Sequence, residues 1–144
     1  LIDHIDGNTI CEADHLFATR LWQNNSRVHF DINAREDKKR LIYGGHIISL
    51  VRALSFNGLE NAQMIVGING GTHANPAFAE DTIYCWSEVL DKIDLNERNI
   101  AALRLRSVGT KEKNHNMKVK NDDGRYLPNV VLDFDYWVLV PKEL

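Results

Sequence analysis

The apolar residues of this chain change their rhythm near Gly58: helical spacing before it, alternation after it. Thr9 and Glu12 form the hydroxyl-x-x-Glu pattern of a capping box. Leu16, Phe17, Arg20, Leu21 and Asn24 follow at helical spacing. That predicts a helix over about residues 10–23 with Leu16, Phe17 and Leu21 inward. Asn24-Asn25-Ser26 ends it, since such residues favour turns. Residues 31–41 are charged and read as an exposed loop. Residues 46–56 are apolar on nearly every side, broken only by Arg52 and two serines, which predicts a buried helix. Asn57-Gly58 closes it, with Gly in the usual stop position.

Beyond Gly58 the pattern has period two. Gln63 to Ile68, Thr82 to Leu90 and Ile100 to Val108 read as strands, with Leu103 and Leu105 alternating against Arg104 and Arg106. Asn121-Asp122-Asp123-Gly124 marks a turn. The last strand is the clearest: Val130, Leu132, Phe134, Tyr136, Val138 and Val140 share one face and Asp133 and Asp135 the other. The links between strands are short and carry no helix, so the sheet is expected to be antiparallel. The predicted class is α+β, an antiparallel sheet wrapped round one long central helix. A short sheet leaves edges exposed, so pairing with a second such unit is expected.

Bulk composition narrows the class. The chain's 144 residues suit one domain, 1–144, with a real core. Its 44% hydrophobic and 26% charged residues fit a folded globular protein. A net charge of −3 gives no footprint for nucleic acid or an anionic membrane. Basic residues cluster only at Lys38-Lys39-Arg40 and between Lys111 and Lys120; both read as solvated loops rather than phosphate sites. Cys11 and Cys85 form no metal-type pair, Cys85 reads as a small buried hydrophobe, and a reducing cytoplasm is the natural setting. No apolar run reaches the ~18 residues of a membrane span, and no signal peptide is visible. The first residue is Leu1 rather than Met, which reads as a processed product or a piece of a longer chain.

Candidate chemistry gathers between Asn24 and Phe56. His29 follows a turn and lies on no repeating face. Histidine is the side chain whose ordinary pKa lies nearest neutrality, so it suits taking a proton from water; a surface or structural histidine is the other reading. Gly44-Gly45 opens the apolar helix. The first N–H groups of a helix have no intrahelical partner, and the helix dipole adds positive potential there. A thioester carbonyl placed there would gain enolate-like charge during reaction, and the Gly45 N–H could stabilise it. The glycines equally read as a tight entry into a buried helix. Asn24 reads as an amide that orients water or as a helix C-cap. Arg27 reads as a partner for a carboxylate or phosphate, and His46 as lining the site; both also fit surface or packing roles. His73 is a weaker candidate on a loop, and His4, His15 and His115 read as exposed. Asp133 and Asp135 read as an outward face rather than a catalytic pair. No nucleotide-binding glycine motif, zinc spacing or serine-nucleophile elbow is present.

At these residues the chain resembles the MaoC-like hydratase family, which has the hot-dog fold. That family's motif runs Asp-x-Asn-Pro-hydrophobic-His, then a loop, then a helix opening at His-Gly. Asn24-Asn25-Ser26-Arg27-Val28-His29 falls on the motif and Gly44-Gly45 on the helix opening. Pro76-Ala77-Phe78-Ala79-Glu80-Asp81-Thr82 falls on a later pattern, Pro-x-x-x-Gly-Asp-Thr. The departures are Asn24 for aspartate, Ser26 for asparagine, Arg27 for proline and Glu80 for glycine. Within the family, TRLWQNNSRVHFD, RLIYGGHIISLVRALSFNGLENA, DTIYCWSEVLDK and VVLDFDYWVLVP are similar to the C-terminal half of the mesaconyl-CoA hydratase group. There two hot-dog units share one polypeptide. The resemblance implies reversible hydration of a short branched enoyl-CoA, with His29 and Asn24 catalytic and Gly44, Gly45, His46 and Arg27 about the substrate. It implies no metal or redox cofactor, coenzyme A arriving with the acyl-CoA thioester substrate, and pairing as a homodimer or with a second hot-dog domain.

Overall fold

The computed structural model describes residues 1–62, 64–97, 99–113 and 116–142. The Gln63 start expected for a strand and the exposure expected of His115 lie outside the described residues. Among those described, five strands form one antiparallel sheet: β1 (Ile2–Thr9), β2 (Met64–His73), β3 (Thr82–Glu97), β4 (Ile100–Thr110) and β5 (Val130–Pro141). Their order across the sheet is β1-β3-β4-β5-β2. Helix α1 (Glu12–Leu21) precedes two single 3-10 turns, Arg27–His29 and Ile32–Ala34. Helix α2 (Gly44–Leu54) packs across β1, β3, β4 and β5. A short turn, Phe56–Leu59, breaks at Gly58, whose φ of +92° only glycine adopts readily. The α+β hot-dog arrangement, a sheet curled about one helix, is the one implied by the resemblance.

The core lies between α2 and the concave face of the sheet. Ile47, Val51 and Leu54 from α2 meet Ile83, Cys85, Leu105, Leu132, Phe134, Tyr136 and Val138. Burying one such side chain stabilises the fold by roughly 1.5–3 kcal/mol. The alternation expected of β5 holds: Val130, Leu132, Phe134, Tyr136 and Val138 are buried. Asp133 and Asp135 point outward and pair across the sheet with Arg106 and Arg104, each through two hydrogen bonds. Helix α2 is not enclosed all round, since Ser49 and Ala53 are exposed.

Several local expectations are overturned. Strand β1 was not anticipated, because a register shift between His4 and Gly7 breaks its period-two pattern. Helix α1 starts two residues later than expected and has no capping box: Cys11 is its N-cap, without a side-chain bond, and Thr9 Oγ1 instead bonds Thr82 Oγ1 at 2.8 Å. Its inward residues are His15 and Thr19, while Phe17 and Leu21 are more than 60% exposed. His4 and His15, expected on the surface, are buried. The His4 ring bonds the Asn57 carbonyl at 2.6 Å and Ser87 Oγ at 2.9 Å. The two basic clusters meet: Arg35, Lys39 and Lys111 surround the Phe78 ring at 5.4–5.8 Å. No helix among the described residues is long and apolar enough to cross a membrane.

Candidate active site

The N-terminus of α2 opens onto a cleft of about 650 Å³. Four stretches of chain form most of its walls, with Val131 of β5 beside them: Asn24 and His29; Leu41 to Gly45; the first two turns of α2; and His73 to Ala77. Main-chain bonds fix these walls together. The Leu41 N–H donates to the Val28 carbonyl at 2.9 Å, and the Ile42 N–H to the Ala77 carbonyl at 2.9 Å. Asn75 Nδ2 donates to the Leu127 and Val130 carbonyls at 2.9 and 2.7 Å, which anchors the fourth wall to the sheet.

His29 sits at the end of a 3-10 turn whose N–H donates to the Ser26 carbonyl at 3.1 Å. Its Nδ1 lies 2.8 Å from the Leu41 carbonyl. A carbonyl can only accept, so Nδ1 carries the proton and Nε2 keeps its lone pair. Asn24 Oδ1 accepts the Ser26 N–H at 2.9 Å. That bond orients the side chain, which lines the cleft.

Gly44 and Gly45 start α2, and no side chain caps them. A neighbouring ring lies close over each of them. A Cβ on Gly44 would stand 2.5 Å from His73 Nε2, and one on Gly45 would stand 2.7 Å from the Tyr43 ring. Their N–H groups precede the first intrahelical bonds, so they remain donors at the positive end of the helix. The site therefore joins a proton acceptor, an amide and a pair of main-chain donors around one cleft.

Behind it lies a buried histidine. The Tyr43 N–H donates to His15 Nε2 at 2.9 Å, which fixes the residue that leads into α2. His15 Nδ1 is buried and has no hydrogen-bond partner. Burial first, then the neighbouring His46 and His29, pull the His15 pKa down to about 4. Its ring centroid lies 6.1 Å from that of His46 and 6.4 Å from that of His29. Among the described residues no group of three or more His, Cys, Asp or Glu side chains could hold a metal ion.

The structure thus brings Asn24, His29, Gly44 and Gly45 together and leaves two other expected residues outside. Arg27 is on the far side of its turn, mostly exposed, with its guanidinium bonded twice to Asp31 at 2.7 and 3.2 Å. His46 turns from the cleft toward His15, and burial lowers its pKa. His73 lines the cleft as the last residue of β2, and burial lowers its pKa too. Tyr43, His15 and Asn75 were missed. The i, i+4 spacing of His15 and Thr19 marks a polar inward stripe that could have revealed His15.

Relatives share this architecture. No family model matches the chain. Over 141 residues it is 58% identical to mesaconyl-CoA hydratase of Cereibacter sphaeroides, covering 98% of the chain and 41% of that protein. It is 54% identical over 146 residues to β-methylmalyl-CoA dehydratase of Chloroflexus aurantiacus, covering 98% of the chain and 42% of that protein. A crystal structure of a MaoC domain protein from Chloroflexus aurantiacus superposes with a TM-score of 0.93 at 53% identity, over 99% of this chain and 42% of the other. A Mycobacterium tuberculosis protein with a double hot-dog fold shares the fold at 17% identity, with a TM-score of 0.68 over 98% of this chain and 41% of its own. The chain spans about two fifths of the length of the curated relatives it matches.

Proposed function

We propose that this chain, a MaoC-like hot-dog domain, carries the proton-transferring site of an enoyl-CoA hydro-lyase. The substrate is a short branched enoyl-CoA: mesaconyl-CoA plus water gives β-methylmalyl-CoA, reversibly. The observation that carries this reading is the His29 ring, held through Nδ1 by the Leu41 carbonyl, in the same cleft as the glycine-led start of α2. The chain's similarity to a mesaconyl-CoA hydratase and a β-methylmalyl-CoA dehydratase supports the choice of substrate.

The chemistry follows from the groups present. His29 Nε2 takes a proton from water as the oxygen attacks the β-carbon. The thioester carbonyl gains negative charge, and the Gly45 N–H donates to it. Removing one such donor typically costs ~10²–10³ in rate. The protonated ring then returns its proton to the α-carbon of the enolate, so one water is added and no net charge is left behind. Asn24 holds the water but cannot take its proton, because an amide is not a base at this pH. Coenzyme A enters as part of the substrate, and no metal or redox group takes part in these steps. Two unpaired cysteines, with Cys85 buried and its thiol pushed up to about 12 by burial, fit the cytoplasm as the working compartment.

A second unit completes the assembly in this proposal, either another copy or another hot-dog domain of one polypeptide. Among the described residues both sheet edges, β1 and β2, lack a further strand. On β2, Met64, Val66 and Ile68 are each more than half exposed. Such an apolar edge invites pairing.

Turnover tests the reading. The assembled protein is given mesaconyl-CoA and the enoyl-thioester absorbance is followed; its loss, with β-methylmalyl-CoA formed, is the expected outcome. Crotonyl- and itaconyl-CoA in the same assay test a different enoyl-CoA as substrate. One observation favours a non-catalytic reading, in which the unit binds acyl-CoA or shapes its partner: Asn24 stands where the family motif has an acid. Tight acyl-CoA binding without turnover, in an assembly whose native mass shows two such units, would establish that alternative.

A further inference from the structure

The proposed substrate has a charge that the residues so far described do not meet. Mesaconyl-CoA keeps a free carboxylate on the carbon that water attacks. Three carbon–carbon bonds, the middle one double, separate that carboxylate from the thioester carbonyl carbon, so the two ends lie about 4 Å apart. The group that reads the carboxylate must stand within one side chain of the donors that polarise the carbonyl.

The cleft offers few choices. No Lys or Arg is among the described residues that line it. Arg27, the cation expected there from the sequence, is outside and paired with Asp31. The lining side chains able to become cations are His29 and His73. His29 has Nδ1 committed to Leu41, and Nε2 is the base in the proposed hydration. His73 remains. Its ring rests against Gly44, where a single added Cβ would meet Nε2 at 2.5 Å and Cε1 at 2.8 Å. Gly44 adjoins Gly45, so the His73 ring stands in the same cleft beside the donors proposed to polarise the carbonyl. No hydrogen bond to the described residues engages the His73 ring, so its donor is unspent. Burial alone lowers its pKa, with no charged group contributing. An arriving carboxylate would supply the missing counter-charge.

We propose that His73 reads the free carboxylate of the substrate, which makes this a site for branched dicarboxylic enoyl thioesters over their monocarboxylic counterparts. The assignment rests on the enoyl-CoA reading of the cleft. His73 is then a specificity-determining residue, distinct from the proton carrier.

The test compares mesaconyl-CoA with tiglyl-CoA, the same branched skeleton with a methyl in place of the carboxylate. Equilibrium affinity for each, and hydration of each, are measured for the assembled wild type, His73→Leu and His73→Gln. The wild type is expected to bind mesaconyl-CoA more tightly. His73→Leu should lose about 10- to 100-fold of that affinity, the usual worth of a hydrogen bond to a charged group. His73→Gln, which keeps an N–H donor, should lose less. Tiglyl-CoA affinity should be unchanged in both variants, which also shows that they fold. Equal losses for the two thioesters would overturn the proposal, making His73 a wall of the cleft. So would unchanged mesaconyl-CoA affinity in both variants. A wild type that binds both thioesters but hydrates neither would sink the hydro-lyase reading alone, because the affinity ratio still reports on His73.

Discussion

The Nδ1–H of His29 is held by a main-chain carbonyl, so the tautomer of this ring does not depend on any other side chain. That matters because Asn24 cannot share the proton. His29, Asn24, Gly44 and Gly45 were legible in the sequence for a simple reason. All four lie within 22 residues of one another, and local turns deliver them to the cleft. His73 and Asn75 were harder to place, since the pairing of β2 with β5 brings them there. His15 was misjudged because its neighbours Leu16 and Phe17 looked like the inward face. Its burial has a consequence for stability. The folded pKa of about 4 lies below the ordinary 6.5, so the unfolded chain binds the extra proton first. His15 therefore favours the fold fully above pH 6.5, and that contribution is lost as pH falls from 6.5 toward 4. Chemical denaturation at pH 7 and pH 4.5 should show a loss of roughly 2–3 kcal/mol attributable to this ring. His15→Gln should flatten that part of the profile. A profile equally steep in the variant would put the acid sensitivity elsewhere.

At the scale of elements, the sequence was most readable where one face is dry and the other wet. Strand β5 and helix α2 carry long runs of that kind, and both were placed to within two residues. Strand β1 has a bulge and only one buried residue, so it left no periodic trace. The loop entering β3 shows another cost. Glu80 has a φ of +72°, in the left-handed region, where the family pattern has glycine. Its N–H donates to the Ile10 carbonyl at 2.9 Å, and the next residue, Asp81, accepts the Phe78 N–H at 2.9 Å. These bonds hold the turn in a conformation that costs a side-chain-bearing residue about 1–2 kcal/mol. Glycine would relieve that strain while losing about 0.5–1 kcal/mol to the flexibility of the unfolded chain. Glu80→Gly should therefore stabilise by about 0.5–1 kcal/mol, a rise of a few degrees in a thermal melt. A lower melting temperature would mean that the glutamate side chain contributes more than its backbone strain removes.

The whole molecule has its candidate site at one end of the central helix and, among the described residues, its unpaired edges at either side of the sheet. The curated relatives are more than twice its length and share this segment almost throughout. A cleft open at the start of α2 and an apolar β2 edge belong together in the proposed assembly, because a second unit on that edge would close the fold's exposed apolar surface. The short sheet raises pairing as an expectation but does not identify the second unit, since edge exposure is the same for a copy or a neighbour. Whatever the assembly, the proposed chemistry turns on one atom, His29 Nε2. Turnover of mesaconyl-CoA by His29→Ala, measured beside wild type in the same assembly at equal substrate saturation, tests it most directly. A general base contributes ~10²–10⁴-fold, so the variant should bind the thioester as wild type does and hydrate it about 10³-fold more slowly. Equal turnover in an active wild type and the variant would show that His29 is not the base.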